Sequence, residues 1–287
     1  MIAGAYCASP NSADGIVRGR PDDEDVAVSA EAKRAFSARS IETARVIGAL
    51  ALIERLVAAE TKHATDQDLA NLRGQLNDAI TIARLDLASA IADMECEEGR
   101  AGQVATSLRD AESAQTKTLT AYSLAVGALA ALGAGITALA SPHDVRPGAV
   151  VDISGGVIGG AIGVATLTVH RTAQYRHTRN ALGEIWSGGA HPAFPEILWA
   201  YLVRATFAIN AETSVRAWLV REWKESGRLG RDPAHPTDER VALYFGAGGE
   251  YDADALDDRI DMLSEVREAL ELMNHDLQHL AAEAVRS

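Results

Sequence analysis

Two long apolar segments without charged residues constrain this sequence more than any other feature. The first, Thr118 to Pro142, has 25 residues and no charge between Lys117 and His143. A helix needs about 20 apolar residues to cross the hydrocarbon core of a bilayer, so this segment is long enough. The second, Ile153 to Val169, has 17 residues and stands at the lower limit for such a helix.

The residues between the two segments predict a turn. Pro142 and Pro147 stop helices, because proline lacks the amide donor and its ring clashes with the preceding turn. Three polar residues accompany the prolines: His143, Asp144 and Arg146. We therefore expect two apolar helices that fold back on each other, and we call residues 118–170 the hairpin.

Small residues recur every four positions in both arms of the hairpin. Positions four apart share one face of a helix, so these residues line a stripe on each arm. The glycine stripe consists of Gly127, Ala131, Gly135, Gly155, Gly159 and Gly163. Such stripes let two helix backbones approach closely without water to drive them together. Each interior glycine costs about 1 kcal/mol of helix propensity, so the pattern favours lipid or tight burial in protein.

Three interpretations fit the hairpin. It is a permanent membrane element, a concealed element of a soluble protein that inserts later, or a buried core element with no membrane role. The open end carries four basic residues: Lys117, Arg171, Arg176 and Arg179. In a cytoplasmic membrane, the excess of basic residues on the inner side would place both termini in the cytoplasm.

Composition narrows the class of protein. Hydrophobic residues make up 47% of the chain and aromatic residues only 5%, which favours helix over sheet. The net charge of −13 argues against a nucleic-acid partner, since such surfaces need clustered lysine and arginine. No pattern indicates a cofactor. The partners that we expect are a lipid bilayer and further copies of the chain.

The first 28 residues predict a disordered segment, with prolines, glycines and an acidic cluster that leave little to bury. Ala3-Gly4-Ala5 fits the small-x-small pattern that precedes signal cleavage, which makes this segment a candidate signal remnant. Cys7 is a candidate lipid-attachment cysteine, although Tyr6 stands where such sites prefer a small residue. A signal upstream of this segment would mean export.

Residues 29–117 predict a helical stalk. Ser29 precedes a pattern of apolar residues at helical spacing from Phe36 to Val57, and a long amphipathic helix follows from Asp68 to Ala140. Its apolar seam is expected at steps of three, four and four, an eleven-residue repeat: Leu69, Leu72, Leu76, Ile80, Ala83, Leu87, Ile91 and Met94.

Residues 171–287 predict a C-terminal helical domain. His170 to Ile185 has a helical pattern, an amphipathic helix begins at Glu196, and Gly227 to Pro236 is a loop. The glycines of Tyr244 to Tyr251 predict a turn and a helix cap. A heptad seam then continues nearly to the end: Leu263, Val266, Leu270, Met273, Leu277, Leu280 and Ala284. Tryptophans gather at membrane interfaces but also anchor small helical domains, and we prefer the second interpretation for the four of this region: Trp186, Trp199, Trp218 and Trp223.

Two short motifs invite a chemical interpretation. His275-Asp276-Leu277-Gln278-His279 differs from the HExxH zinc motif in having Asp for Glu, and no third ligand is evident, so we expect no metal there. The run Glu95-Cys96-Glu97-Glu98 is interpreted as a solvated acidic face. No nucleophile elbow, Cys/His dyad or dinucleotide fingerprint is present, so we expect neither catalytic residues nor enzymatic activity.

The sequence from about Cys96 to Leu277 resembles uncharacterised helical proteins of bacteria that are often predicted as lipoproteins. The resembling motifs are Cys96-Glu97-Glu98-x-Arg100, the glycine-rich second arm, Arg179-Asn180-x-Leu182 with Ile185-Trp186, and Gly249-Glu250-Tyr251-Asp252-Ala253-Asp254-x-Leu256 with Asp261-Met262-Leu263. This resemblance implies a bacterial membrane or cell-envelope protein. The architecture is also similar in shape to helical pore-forming toxins.

Together these patterns predict an all-α protein: an elongated helical bundle or coiled coil with a glycine-rich apolar hairpin and a C-terminal helical domain. The segments are residues 1–28, 29–117, 118–170 and 171–287. The expected function is that of a non-enzymatic envelope protein whose hairpin inserts in a membrane while the bundle mediates assembly. The alternatives are a soluble pore-forming protein with a concealed hairpin and a soluble helical scaffold with the hairpin as core.

Overall fold

The computed structural model describes the backbone of residues 27–140, 171–177, 179–189, 193–207 and 213–286, and the side chains of these ranges except 119–140. Helices dominate this part of the chain, and the predicted all-α class is confirmed. A short two-stranded sheet is added to the helices. The second arm of the hairpin lies outside the described residues.

The first three helices are α1 (Ala32–Ala35), α2 (Ala38–Val46) and α3 (Leu50–Thr61). Each packs against the other two. Their apolar residues form a local core in which Phe36 and Ile53 are almost completely buried. Burying a side chain of this size contributes about 1.5–3 kcal/mol relative to leaving it exposed, which holds these short helices together.

Two local signals set the bounds of these helices. The Ser29 hydroxyl accepts a hydrogen bond from the Ala32 amide at 3.0 Å, so the predicted start is confirmed. The predicted apolar pattern from Phe36 to Val57 is divided between helices, and Gly48 separates α2 from α3. Gly48 has φ of 69°, a left-handed conformation that glycine adopts without a steric penalty and that ends a helix.

The long helix α4 runs from Asp66 to Ala140 and contains 75 residues. The predicted helix from Asp68 to Ala140 is therefore confirmed to within two residues. Asp66 and Asp68 lie in its first turn, where carboxylates interact favourably with the unpaired backbone amides.

The seam of α4 follows the eleven-residue repeat only over its first steps. From Ile80 onward the buried residues keep a heptad pattern, with steps of three and four apart from one step of seven after Met94: Ile80, Ala83, Leu87, Ala90, Met94, Ala101, Ala105 and Leu108. The predicted position Ile91 is wrong, because it is only half-buried and Ala90 takes its place. The buried position is thus occupied by the small Ala90 and not by the larger Ile91. Alanine permits the closer approach of a neighbouring element.

The last helix, α9 (Ala253–Arg286), carries the predicted heptad seam. All seven predicted residues are buried, from Leu263 to Ala284. The Asp252 carboxylate accepts a hydrogen bond from the Ala255 amide at 2.7 Å, so the predicted cap is confirmed.

Two short strands were not expected. β1 (Ala173–Arg176) and β2 (Gly248–Tyr251) form the two-stranded sheet. The helical interpretation of His170 to Ile185 is therefore wrong in its first half, and the predicted turn ends in a strand. Gly248 has φ of 90°, and a Cβ atom there would clash with the Tyr175 carbonyl oxygen, so glycine lets the strands pair.

The remaining helices are short: α5 (Ala181–Ser187), α6 (Glu196–Val203), α7 (Val215–Glu225) and α8 (Asp238–Phe245), with a 3₁₀ turn at Ala205–Phe207. The predicted loop between Gly227 and Pro236 is confirmed. The helix predicted from Glu196 ends at Val203.

Several aromatic side chains of this region are buried. Trp223 and Tyr201 are completely buried, Phe207 is 1% exposed and Trp199 is 8% exposed. Trp199 and Trp223 are therefore anchors of the helical core, as predicted, whereas Trp186 and Trp218 are only half-buried.

The chain forms two compact units, each built from separated stretches of sequence. The first comprises the described parts of Met1–Ala101, Tyr175–Gly249 and Asp258–Ser287. The second comprises those of Gly102–Gln174 and Glu250–Asp257.

Candidate functional site

The six residues of the glycine stripe and Cys7 are the site residues predicted from sequence. Gly155, Gly159, Gly163 and Cys7 lie outside the described residues. For Gly127, Ala131 and Gly135 the described feature is their helical backbone within α4. Their roles in helix packing and lipid attachment stay predictions.

The base of the hairpin is described on both sides. The backbone amide of Arg171 donates a hydrogen bond to Oε1 of Glu112 at 2.7 Å. Its guanidinium donates to Oε1 of Gln115, with Nε at 3.1 Å and Nη2 at 2.7 Å. The chain that passes Gln115 thus returns to it at Arg171, 56 residues later. We call these contacts the hairpin clasp.

A second polar contact lies in the same compact unit. Arg109 of α4 forms an ion pair with Asp257 and approaches Asp254 to 3.7 Å. The bond with Asp257 raises the pKa of Arg109 above its ordinary value. Both pairs are solvent-exposed, so each contributes little to stability, but together they join the start of α9 to α4 within two turns of the clasp.

In the part of the chain that the structure describes, no helix combines the length and the apolar character that a membrane crossing requires.

The first acidic motif is not the solvated face that the sequence suggested. Glu97 and Glu98 are only 16% and 17% exposed. Glu98 lies 3.5 Å from Nε of Arg267, and burial raises the pKa of Glu98 while Arg267 opposes that rise. Cys96, between the acidic residues, is disulfide-bonded. The interpretation of this run as a solvated face is therefore wrong for Glu97 and Glu98.

Glu97 is buried because it occupies a seam position of α4, seven residues after Ala90. Arg259 occupies a seam position of α9, four residues before Leu263, and it is completely buried. Nη2 of Arg259 lies 4.0 Å from Oε2 of Glu97, and its Nη1 donates to the Tyr244 carbonyl oxygen at 3.2 Å. A charged pair thus interrupts two otherwise apolar seams.

Two further side chains complete the surroundings of Glu97. Arg100 donates to its Oε2 at 3.0 Å, and the Tyr175 hydroxyl donates to the same atom at 3.3 Å. The Arg100 guanidinium also lies over the Tyr175 ring at 4.9 Å from the centroid. Burial raises the pKa of Tyr175, so its hydroxyl stays protonated as a donor. Sequence reasoning missed this cluster, because the eleven-residue repeat predicted for α4 did not place Glu97 in the seam.

The resembling motif that contains Asn180 lies against the end of α8 and the residue that follows it, Gly246. The Asn180 side chain accepts a hydrogen bond from the Gly183 amide and donates to the carbonyl oxygens of Tyr244 and Gly246 at 3.0 Å and 2.7 Å. His177 shares the Gly246 carbonyl through Nδ1 at 2.9 Å. Burial, assisted by the charge of Arg259, lowers the pKa of His177 to about 4. These contacts fix the chain on either side of the strands.

The HDLQH motif has a structural role for its aspartate. Asp276 accepts two hydrogen bonds from Arg39, both at 2.8 Å, and one from the Tyr201 hydroxyl at 3.1 Å. His275 and His279 are exposed. Among the described residues, no group of three metal-ligating side chains comes together.

Comparisons with protein-family models, with curated proteins and with solved structures found no match.

Proposed function

We propose that this chain is a non-enzymatic envelope protein whose hairpin inserts in a membrane while the helical bundle mediates assembly. The hairpin clasp is the observation that carries the proposal. Arg171 contacts Glu112 and Gln115, so the two ends of the intervening segment lie next to each other. A segment with two uncharged stretches and adjacent ends suits a pair of antiparallel membrane helices, which keeps both flanks on one side of the bilayer.

Helix continuity supports the same proposal. The seam of α4 is buried as far as Leu108, Lys117 and Thr118 are exposed, and the helical backbone continues to Ala140. An unbroken helix thus connects a packed amphipathic part to an uncharged part without an intervening loop. The basic residues near the clasp, Arg171 and Arg176, are exposed, as the positive flank of a membrane segment requires.

Membrane association is tested by expression of the full chain, fractionation and carbonate washing of the membranes. Leu129→Arg places a charge in the middle of the first arm, where it costs about 2.5–3.5 kcal/mol of insertion. Leu85→Arg is the matched control, since Leu85 is 65% exposed on the same helix. We expect wild type and Leu85→Arg to resist the wash and Leu129→Arg to be released.

A lipid on Cys7 would also retain the protein, so Cys7→Ser is examined in parallel. Retention of Cys7→Ser together with release of Leu129→Arg supports insertion of the hairpin. Equal retention of wild type and Leu129→Arg contradicts it. Wild-type protein in the soluble fraction would favour the two alternatives. A concealed hairpin would cause leakage of dye from liposomes. A core hairpin would be protected from hydrogen exchange without lipid.

Packing of the two arms is tested with Gly159→Leu. A leucine on the glycine stripe prevents close approach of the helix backbones, so we expect the arms to separate and assembly to weaken in detergent. The mass of the detergent-solubilised particle, measured by light scattering, gives the result. Unchanged assembly and unchanged membrane association would count against packing through the stripe.

A further inference from the structure

A small cleft in the first compact unit is lined by basic residues. It has a volume of about 310 Å³ and lies between the turn that follows α7, the first turn of α8 and the second turn of α9. Three arginines and one aspartate supply its charged groups: Arg228, Arg231, Arg240 and Asp258. Arg228 and Arg240 form ion pairs with carboxylates of α9, whereas Arg231 lies exposed at the rim.

Arg228 is held in place by acidic side chains of α9. Its Nη1 donates to Oε1 of Glu265 at 2.7 Å, and Oε2 of Glu265 accepts the indole N–H of the completely buried Trp223 at 2.8 Å. Its Nη2 lies 3.4 Å from Asp261. A guanidinium carries five N–H groups, so these bonds fix its plane and leave donors for a ligand.

Arg240 is fixed in a similar way on the other side of Asp258. Its Nη1 donates to the Tyr244 hydroxyl at 2.6 Å, and that hydroxyl donates to Asp258 at 2.9 Å. Asp258 lies 3.8 Å from both Arg228 and Arg240, so it spaces the two guanidinium groups. Arg231 is an exposed residue at the rim.

The turn itself is anchored, which keeps the cleft open in a defined shape. The Thr237 amide donates to the carbonyl oxygen of the buried Leu229 at 2.8 Å, and the Gly230 amide donates to the Gly227 carbonyl oxygen at 3.1 Å. Gly227 and Gly230 have positive φ, so the turn brings its backbone close to the cleft without side chains in the way.

We propose that this cleft binds the phosphate group of a small ligand. Planar guanidinium groups fixed by second partners match the geometry of phosphate oxygens and bind them in pairs of hydrogen bonds. The volume lies at the lower end of the range for ligand sites, about 300–1,000 Å³, so a phosphate with a small attached group fits. The phosphate belongs either to a free compound or to a lipid headgroup. This inference does not depend on insertion of the hairpin.

Two variants of the full chain test the proposal, because their effects have opposite signs. Arg231→Gln removes a cationic donor at the exposed rim, and we expect about tenfold weaker binding of inorganic phosphate. Asp258→Asn removes a carboxylate that repels the ligand but keeps an oxygen for Tyr244, and we expect severalfold tighter binding. Arg221→Gln is the control, since Arg221 is 43% exposed on α7 and does not line the cleft.

Isothermal titration with inorganic phosphate at low ionic strength measures the first source of the ligand. Co-sedimentation with phosphatidylcholine vesicles that contain phosphatidic acid, compared with pure phosphatidylcholine vesicles, measures the second. A response of both variants in titration assigns a free phosphate compound, and a response only in the phosphatidic acid arm assigns a headgroup. Equal binding by wild type, Arg231→Gln and Asp258→Asn in both arms would overturn the proposal.

Discussion

Replacement of Asp276 by asparagine tests the structural role of the HDLQH motif most directly. Asp276 is 7% exposed and its carboxylate accepts hydrogen bonds from both Arg39 and Tyr201. The asparagine side chain has nearly the same shape, but it has no negative charge and its amide N–H groups would face the donors of Arg39. The substitution therefore removes the ion pair without creating a cavity.

The magnitude follows from burial on the two sides of the pair. Breaking a fully buried ion pair costs about 3–5 kcal/mol, because the remaining charge loses its partner. The Arg39 side chain is 39% exposed and water compensates part of that loss, so we expect about 2 kcal/mol. At about 2–4 °C per kcal/mol for a chain of this size class, the melting temperature should fall by roughly 5 °C.

Urea denaturation followed by circular dichroism measures the free energy of unfolding. His279→Ala is the control in the same motif, since His279 is exposed and its loss should change stability by less than about 0.5 kcal/mol. A cost of less than about 0.5 kcal/mol for Asp276→Asn would refute the argument. Equal destabilisation by His279→Ala would instead point to a shared role of the motif, such as metal binding.

Three other predictions concern stability and redox state. The fold lowers the pKa of His177 from about 6.5 to about 4, so the contribution of neutral His177 to stability is complete above pH 6.5 and is lost as the pH falls to about 4. His177→Gln should therefore make the free energy of unfolding less dependent on pH over that interval. An unchanged pH profile would contradict this. Gly248→Ala should cost about 1–3 kcal/mol of stability, because Gly248 has positive φ and a Cβ atom would clash with the Tyr175 carbonyl oxygen. Gly99→Ala, in an open stretch of α4, should stabilise the protein by up to about 1 kcal/mol. Thermal unfolding compares the two variants, and similar effects of both would be inconsistent with the backbone argument. Denatured protein should show no free thiol before reduction and two per chain after it, measured with a thiol reagent, and a single thiol after reduction would indicate a lipid on Cys7.

The helical class could be predicted because it depends on patterns that extend over many residues. The seam of α9 keeps one spacing from Leu263 to Ala284, and each member is buried. The predicted seam of α4 was correct from Leu72 to Leu87 and again at Met94, but it was wrong at Ile91, which was preferred because isoleucine is more apolar than Ala90. A prediction from hydrophobicity alone favours Ile91, whereas close packing in the folded protein favours the smaller Ala90.

The error at Ile91 had a consequence for the polar cluster. With Ala83 and Ala90 in register, Glu97 falls on the buried face, but with Ile91 in register it falls among solvated residues. Its partner Arg259 is in register with Leu263, yet a single arginine before a heptad seam gives no sign of burial. Pairs of this kind become visible only when two distant elements are placed side by side.

The strands and the clasp were beyond sequence reasoning for another reason. β1 and β2 have four residues each, too few for alternation to stand out, and their pairing joins positions about 75 residues apart. The clasp likewise depends on a contact between Arg171 and Gln115 that no local pattern contains. Sequence patterns identified the two uncharged segments, and the structure added that their flanks meet.

The pair formed by Glu97 and Arg259 limits how α4 and α9 can slide. Two apolar heptad seams fit each other nearly as well after a shift of one repeat, since one alkyl side chain replaces another. A shift of seven residues, about 10 Å along the axis, would place Arg259 beside Ala90 or Val104 instead of Glu97. A buried guanidinium beside an uncharged side chain is strongly unfavourable. The pair therefore fixes the register of α9 relative to α4, which apolar side chains alone would leave less well defined.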